Sequence, residues 1–263
     1  MKRFLAFLLI ICLLFSGCKK NKKESGVEES EWMAGRCFTQ EGMVYQNPWT
    51  SKMEYFDYGT ESYRPLCSNV NCLHNDEECM AVYLDQNAEV LGRIGNKWYY
   101  HMGLEDGTGI FCSCDLDGKN NKTIGEFSHS FFWRTLFFDN SCVVVTKDDI
   151  FDEETYEWTG TISGIYRYHF DTGEAELLCS EKEADDLSYD IYGRYNNQLI
   201  YQEKIGKSYK LRFMDLETKK ITQPLENYNI FTGMVYDNFF VGNVREEDGY
   251  KVIELNLDTG ECK

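Results

Sequence analysis

Residues 168–178 read YHFDTGEAELL, and residues 255–263 read LNLDTGECK. In each, a short alternating run meets Asp-Thr-Gly-Glu. An Asp side chain can accept from backbone N–H groups two residues on, and Gly takes the positive φ that a tight turn needs. DTGE therefore predicts a hairpin between two strands. Three other stretches carry the pattern in degraded form: EYFDYGTESYRPL (54–66), CDLDGKNNKTI (114–124) and MDLETKKITQPL (214–225). Aligned on the aromatic or Leu before the acidic residue, the anchors are Phe56, Leu116, Phe170, Leu216 and Leu257, spaced by 60, 54, 46 and 41 residues. A period of about 40–50 residues that tolerates loop insertions belongs to an array of small repeated sheets.

Upstream of most anchors lies a second strand signal: EGMVYQ (41–46), NKWYYHM (96–102), SCVVVTK (141–147), NQLIYQEK (197–204) and NFFVGNV (238–244). Each is β-branched or aromatic and is flanked by turn residues. Aromatics make up 15% of the chain, with 18 Tyr against 3 Pro, a sheet-forming composition. No segment shows a sustained helical period with caps. The repeat resembles the β-propellers of bacterial surface lipoproteins and the TolB-like and quinoprotein-like repeat families, over about residues 35–263. The expected fold is all-β: a β-propeller of four-stranded antiparallel blades, about five of them present. The last hairpin turn is followed only by Cys262 and Lys263. A propeller closes its ring to protect strand edges. The expectation is therefore an open ring whose last blade lacks its outer strand, in a sequence truncated by one to three blades.

The first eighteen residues, MKRFLAFLLIICLLFSGC, place Lys2 and Arg3 before an apolar run of about twelve residues. A membrane span needs about 20, so the run fits a signal peptide. The ending LFSGC resembles the lipobox of bacterial lipoproteins, with Phe15 where a leucine is usual. That resemblance implies cleavage after residue 17 and a diacylglyceryl group on the Cys18 thiol. Two acyl chains anchor stably where one would not. Residues 18–34 follow as lipidated N-terminus and linker: KKNKKESGVEESE is too polar to fold alone. Its four lysines would lie beside anionic headgroups. The implied location is the cell membrane, facing the extracytoplasmic side.

Removing residues 1–17 moves the formal charge from −17 to −19. A body this acidic lacks the basic footprint of a nucleic-acid binder. The trigram DTG at residues 171–173 and 258–260 also surrounds aspartic-protease carboxylates, but Glu follows each, and the same place reads DGK or ETK in other repeats. A turn explains it better than a dyad. The segment DLDGKNNKTIGE (115–126) has its Gly fourth, where a calcium loop requires it sixth, and also reads as a turn. The acidic runs KDDIFDEETYEW (147–158) and EKEADD (181–186) read as solvated loops. Within the first, Tyr156 and Trp158 are candidates either for stacking on a sugar or peptide or for packing on their own blade.

The chemistry-bearing stretch is CSNVNCLHNDEEC (67–79), which lies between the outer strand of the first repeat and the inner strand of the second. Cys67, Cys72, His74 and Cys79 offer the donor number and softness of tetrahedral zinc, at a spacing that matches no common zinc-finger class. A local disulfide and separate free thiols remain rivals. Nine cysteines follow Cys18 (Cys37, Cys67, Cys72, Cys79, Cys112, Cys114, Cys142, Cys179 and Cys262), an odd number for pairing. Two functional classes follow. One is an anchored binding scaffold for a peptide, glycan or protein partner. The other is the non-catalytic propeller of a larger hydrolase or lyase, which the reading frame beyond Lys263 would decide.

Overall fold

The computed structural model describes residues 30–33, 35–104, 108–127, 131–152, 154–183, 187–246 and 249–263. Its strands form five successive antiparallel meanders. The first blade contains β2 (Arg36–Phe38), β3 (Gly42–Asn47), β4 (Lys52–Asp57) and β5 (Ser62–Pro65). The second contains β6 (Val90–Ile94), β7 (Lys97–Gly103), β8 (Gly109–Asp115) and β9 (Lys122–Phe127). The third contains β10 (Phe131–Phe138), β11 (Ser141–Phe151), β12 (Trp158–His169) and β13 (Glu174–Glu183). The fourth contains β14 (Leu187–Tyr195), β15 (Gln198–Ile205), β16 (Ser208–Asp215) and β17 (Ile221–Thr222). The fifth has β18 (Ile230–Tyr236), β19 (Phe239–Glu246) and β20 (Gly249–Asn256), plus a single bridge from Leu255 to Cys262.

Alternation along the strands builds the core between blades rather than within one. On β11, Cys142 and Val144 join a cluster with the first two blades, while Val143 and Val145 join another with the fourth. SCVVVTK reads as a continuous apolar run because this blade is covered on both faces. A third cluster joins the fourth blade to the fifth through Ile200, Ile230, Phe240 and Ile253. Among the described residues, no pairing and no core cluster joins the fifth blade to the first. Met234, Tyr236 and Val252 on the fifth are exposed.

The hairpin chemistry is as expected in kind but displaced by a step. Gly173 and Gly260 take φ of +72° and +75°. In the second blade Asp117, after Leu116, accepts from the Lys119 N–H at 3.1 Å, but in the fourth and fifth blades the accepting side chain lies before the anchor. Asn256 Oδ1 accepts from the N–H of Asp258 and Thr259 (both 2.9 Å), and Asp215 Oδ1 from Glu217 (3.1 Å) and Thr218 (2.7 Å). The backbone N–H of Phe170, Leu216 and Leu257 donates to Asn140, Asn197 and Asn238, and in the first blade the donor in that position is Tyr58. The first anchor is thus Tyr58 and not Phe56.

Four further expectations are corrected. Residues 30–33, assigned to the linker, form β1 (Ser30–Met33), which lies antiparallel between β10 and β2 and joins the third blade to the first. The run 147–158 is half strand: Lys147–Phe151 continue β11 and Trp158 opens β12, because the two strands pair along their whole length, and only the tip between them is loop. In the run 181–186, residues 181–183 end β13, and 184–186 lie outside the described residues. A helix also exists: α1 (Met80–Asn87) buries Met80, Ala81, Val82 and Leu84. Eight residues without a capping side chain are too short to show a period.

Within the second blade, His101 is 2% exposed and its Nδ1 lies 2.9 Å from Glu89 Oε2. Burial holds the imidazole down to about 3. The ring is therefore neutral when folded and protonates readily when unfolded. Stability should fall as pH drops from about 6.5 toward 3, by up to about 3 kcal/mol by pH 4. The Glu89 carboxyl, which burial pushes up, acts in the opposite direction and flattens the slope. Denaturant midpoints should fall between pH 7 and 4.5 in the wild type and fall less in His101→Gln. Equal falls would show that His101 does not titrate in this range.

Candidate metal centre

The cysteine stretch occupies the connection between β5 and α1. Leu66 ties its start to the first blade, with its N–H donating to Met53 O at 2.8 Å and its side chain buried. Cys67 N–H donates to Pro65 O at 2.7 Å, so the chain turns at once. Asn69 shapes the next turn, accepting from Asn71 N–H at its side chain (3.1 Å) and from Cys72 N–H at its carbonyl (3.1 Å). His74 then adopts φ +55°, an uncommon left-handed conformation for a non-glycine residue. Cys79 N–H returns to Asp76 O at 3.0 Å, and Cys79 is the extended residue immediately before α1. These turns bring residues 67, 72, 74 and 79 to one place.

One donor atom from each of Cys67, Cys72, His74 and Cys79 lies within 4.8 Å of all the others. His74 Nδ1 is 3.3 Å from Cys79 Sγ, and His74 N–H is 3.4 Å from Cys72 Sγ. Around a zinc ion with bonds of 2.0–2.3 Å, donor edges would be about 3.5–4 Å. A contraction of under an ångström would close the set. Burial pushes the Cys79 thiol up to about 11, with Cys72 and Cys67 adding to the rise and the Val82 and Ala81 N–H groups opposing it. Without a cation these groups stay protonated thiols; as thiolates they would repel one another unless a cation lay among them. No S–S bond joins any of the nine described cysteines. The arrangement is a Cys3His cluster that could hold a metal.

Cys67 and Cys72 also line a cleft of about 630 Å³. Its near wall includes Asn69, Val70, Glu77 and Glu78; its far wall is the β8–β9 turn of the second blade, through Asp117, Lys119 and Asn121. That partnership was not legible in the sequence, because the turn is about 40 residues downstream. The turn itself is as expected, with Gly118 at φ +80°.

The other sequence candidates lie elsewhere. Tyr156 and Trp158 sit on the β11–β12 hairpin of the third blade, 82% and 50% exposed, beside Phe151 at 54%. Asp152 holds this tip by accepting from the N–H of Glu154 (3.0 Å) and Thr155 (2.8 Å). Asp171 and Asp258 are on separate blades: Asp171 accepts from Asn140, and Asp258 accepts from Asn238 (2.9 Å) and Tyr195. Cys18 lies outside the described residues. Sequence reasoning missed a partly buried ion cluster at the inner strands. There Arg134 Nε reaches Glu31 Oε1 at 2.8 Å, and Arg134 Nη1 donates to Ile191 O at 2.7 Å.

No family model and no curated protein matches this chain. Solved structures do. The β-propeller domain of the Trilobed protease from Pyrococcus furiosus, described as having an open velcro topology, matches with TM-score 0.50 and 15% identity, over 87% of this chain and 66% of that one. The fold is a β-propeller. An oligogalacturonate lyase in complex with manganese matches with TM-score 0.52 and 10% identity, over 85% of this chain and 61% of that one. A putative TolB from Agrobacterium tumefaciens matches with TM-score 0.50 and 8% identity, over 90% and 87%. The chain thus spans slightly under two thirds of the first two structures. At these identities the likeness concerns the propeller architecture and not its chemistry.

Proposed function

We propose that this chain is a membrane-anchored extracytoplasmic lipoprotein whose propeller is a binding scaffold for a peptide, glycan or protein partner. The binding reading is carried by the β11–β12 hairpin. Its strands have 11 and 12 residues, where the equivalent β15 and β16 have 8 each, and its tip presents Phe151, Tyr156 and Trp158 to solvent. Exposed aromatics grouped on a rigid ribbon provide stacking surface at low entropic cost. The anchor rests on the basic start, the short apolar run and the Ser-Gly-Cys at residues 16–18. The cofactor we assign is one Zn²⁺ at Cys67, Cys72, His74 and Cys79. Three thiolates and an imidazole favour a borderline-soft ion, and four protein donors leave no open position, which is the pattern of a structural site. A second reading, the non-catalytic propeller of a larger hydrolase or lyase, draws support from the match to the lyase, of which this chain covers 61%.

Glycan and peptide arrays probed with the full chain and with Tyr156→Ala/Trp158→Ala test the hairpin. Losing two stacking side chains should weaken a true ligand at least about tenfold, with circular dichroism unchanged. Variant and wild type binding every hit alike would remove the hairpin as the site.

A further inference from the structure

Resting on the reading of the cluster as a zinc centre, we infer that its ion is loaded and released through the adjacent cleft, and that occupancy organises the near wall of that cleft. The four donors are not equally enclosed. Cys79 is 1% exposed and belongs to the core, whereas Cys67 and Cys72 are half-buried and line the cleft. Two of the three zinc–sulfur bonds therefore stand where water or a competing ligand can approach. Loading removes a proton from each of the three thiols to solvent as three Zn–S bonds and one Zn–N bond form. Release reverses this and needs no other reactant.

The cleft also attracts the ion. Glu77, Glu78 and Asp117 line it with one lysine, Lys119, whose ammonium is 3.0 Å from Asp117. Carboxylates around a concave surface raise the local concentration of divalent cations. They are hard donors, suited to passing an ion on, while the thiolates behind them hold zinc in preference to Mg²⁺ or Ca²⁺.

The wall depends on the ion because little else holds it. Residues 67–79 contain no strand or helix, only the turns described above. Val70 and Leu73 are 93% and 81% exposed and contribute no burial. An ion bound by residues 67, 72, 74 and 79 pins this segment at four points, and Asn69, Val70, Glu77 and Glu78 lie between them. Helix α1 is different: Met80, Ala81, Val82 and Leu84 are core residues and should stay in place without metal. Removing zinc should loosen the segment and spare the blades, a local opening and not an unfolding.

The test uses the full chain purified without chelator. Metal content, zinc transfer to a chromophoric chelator at neutral pH, and hydrogen exchange by mass spectrometry are measured on one preparation. The expected result is one equivalent of zinc that transfers while circular dichroism stays native. Exchange in residues 67–79 should then rise at least about tenfold, with the blade strands unchanged, and one added equivalent of Zn²⁺ should restore protection. Zinc that is present but leaves only when guanidinium unfolds the blades would overturn the exchange route. Protection in 67–79 unchanged after zinc removal would overturn the organising role. Either result leaves the zinc assignment standing. Less than about 0.2 equivalents before and after zinc incubation, unchanged by Cys72→Ser, would overturn the assignment itself and this inference with it. Cys112→Ser, a buried thiol outside the cluster, controls for general damage and should retain the ion.

Discussion

Replacing Arg134 with Met should destabilise the fold by about 2–3 kcal/mol and lower the melting temperature by about 8 °C. Arg134 extends from β10 among the inner strands. Its guanidinium pairs with Glu31 of β1 at 2.8 Å and donates to Ile191 O of β14 at 2.7 Å, with Gly233 O of β18 at 3.4 Å. One side chain thus links the third blade to β1 and to the inner strands of the fourth and fifth. Met would keep the volume and remove the charge, leaving Glu31 and Asp190 facing each other. Burial already pushes both carboxyls up, with Arg134 pulling each back down. Without Arg134 both should rise further, so the folded state would bind more protons than the unfolded state. The variant's deficit should therefore shrink as pH falls from 7 to 5. Adding Glu31→Gln should recover part of the loss by removing one uncompensated charge. A loss under about 1 kcal/mol, or a deficit that grows on acidification, would mean that this cluster contributes little.

Cys18→Ser should abolish membrane partition. In a bacterium that processes lipoproteins, the wild-type chain should enter the detergent phase and carry a diacylglyceryl group on its first mature residue. The serine variant has no thiol to alkylate. Two acyl chains supply stable anchoring, whereas the lysines of the linker add only about 1 kcal/mol each near anionic lipid. The variant should therefore appear in the aqueous phase. An unmodified Cys18 in mature wild-type protein, shown by intact mass, would refute the anchor.

The propeller was legible because its evidence is local and repeated. Each DTGE-type turn needs only an acceptor side chain and a residue tolerant of positive φ, and the pattern recurs often enough to survive the loss of any one copy. Alternation tells which residues are apolar on a strand, and the crowding of Cys67, Cys72, His74 and Cys79 within 13 residues marks a candidate donor set by itself.

What the sequence left open required distant segments to meet. Nothing in SEWM marks residues 30–33 as a strand; they become one because the free edges of β10 and β2 offer unpaired backbone groups that β1 satisfies. Helix α1 is too short for its own period and exists because four of its side chains find a core between blades. Arg134, Glu31 and Asp190 are unremarkable in sequence and acquire meaning only when inner strands converge. The same holds at the cysteine stretch. Residue identity determined which atoms could bind a metal. Only the turns at Cys67, Asn69, His74 and Cys79, set against the Asp117–Asn121 region of the next blade, decided that those atoms lie within 4.8 Å of one another beside a cleft. Donor chemistry is a property of single side chains, whereas convergence is set by the backbone path, which depends on packing between blades.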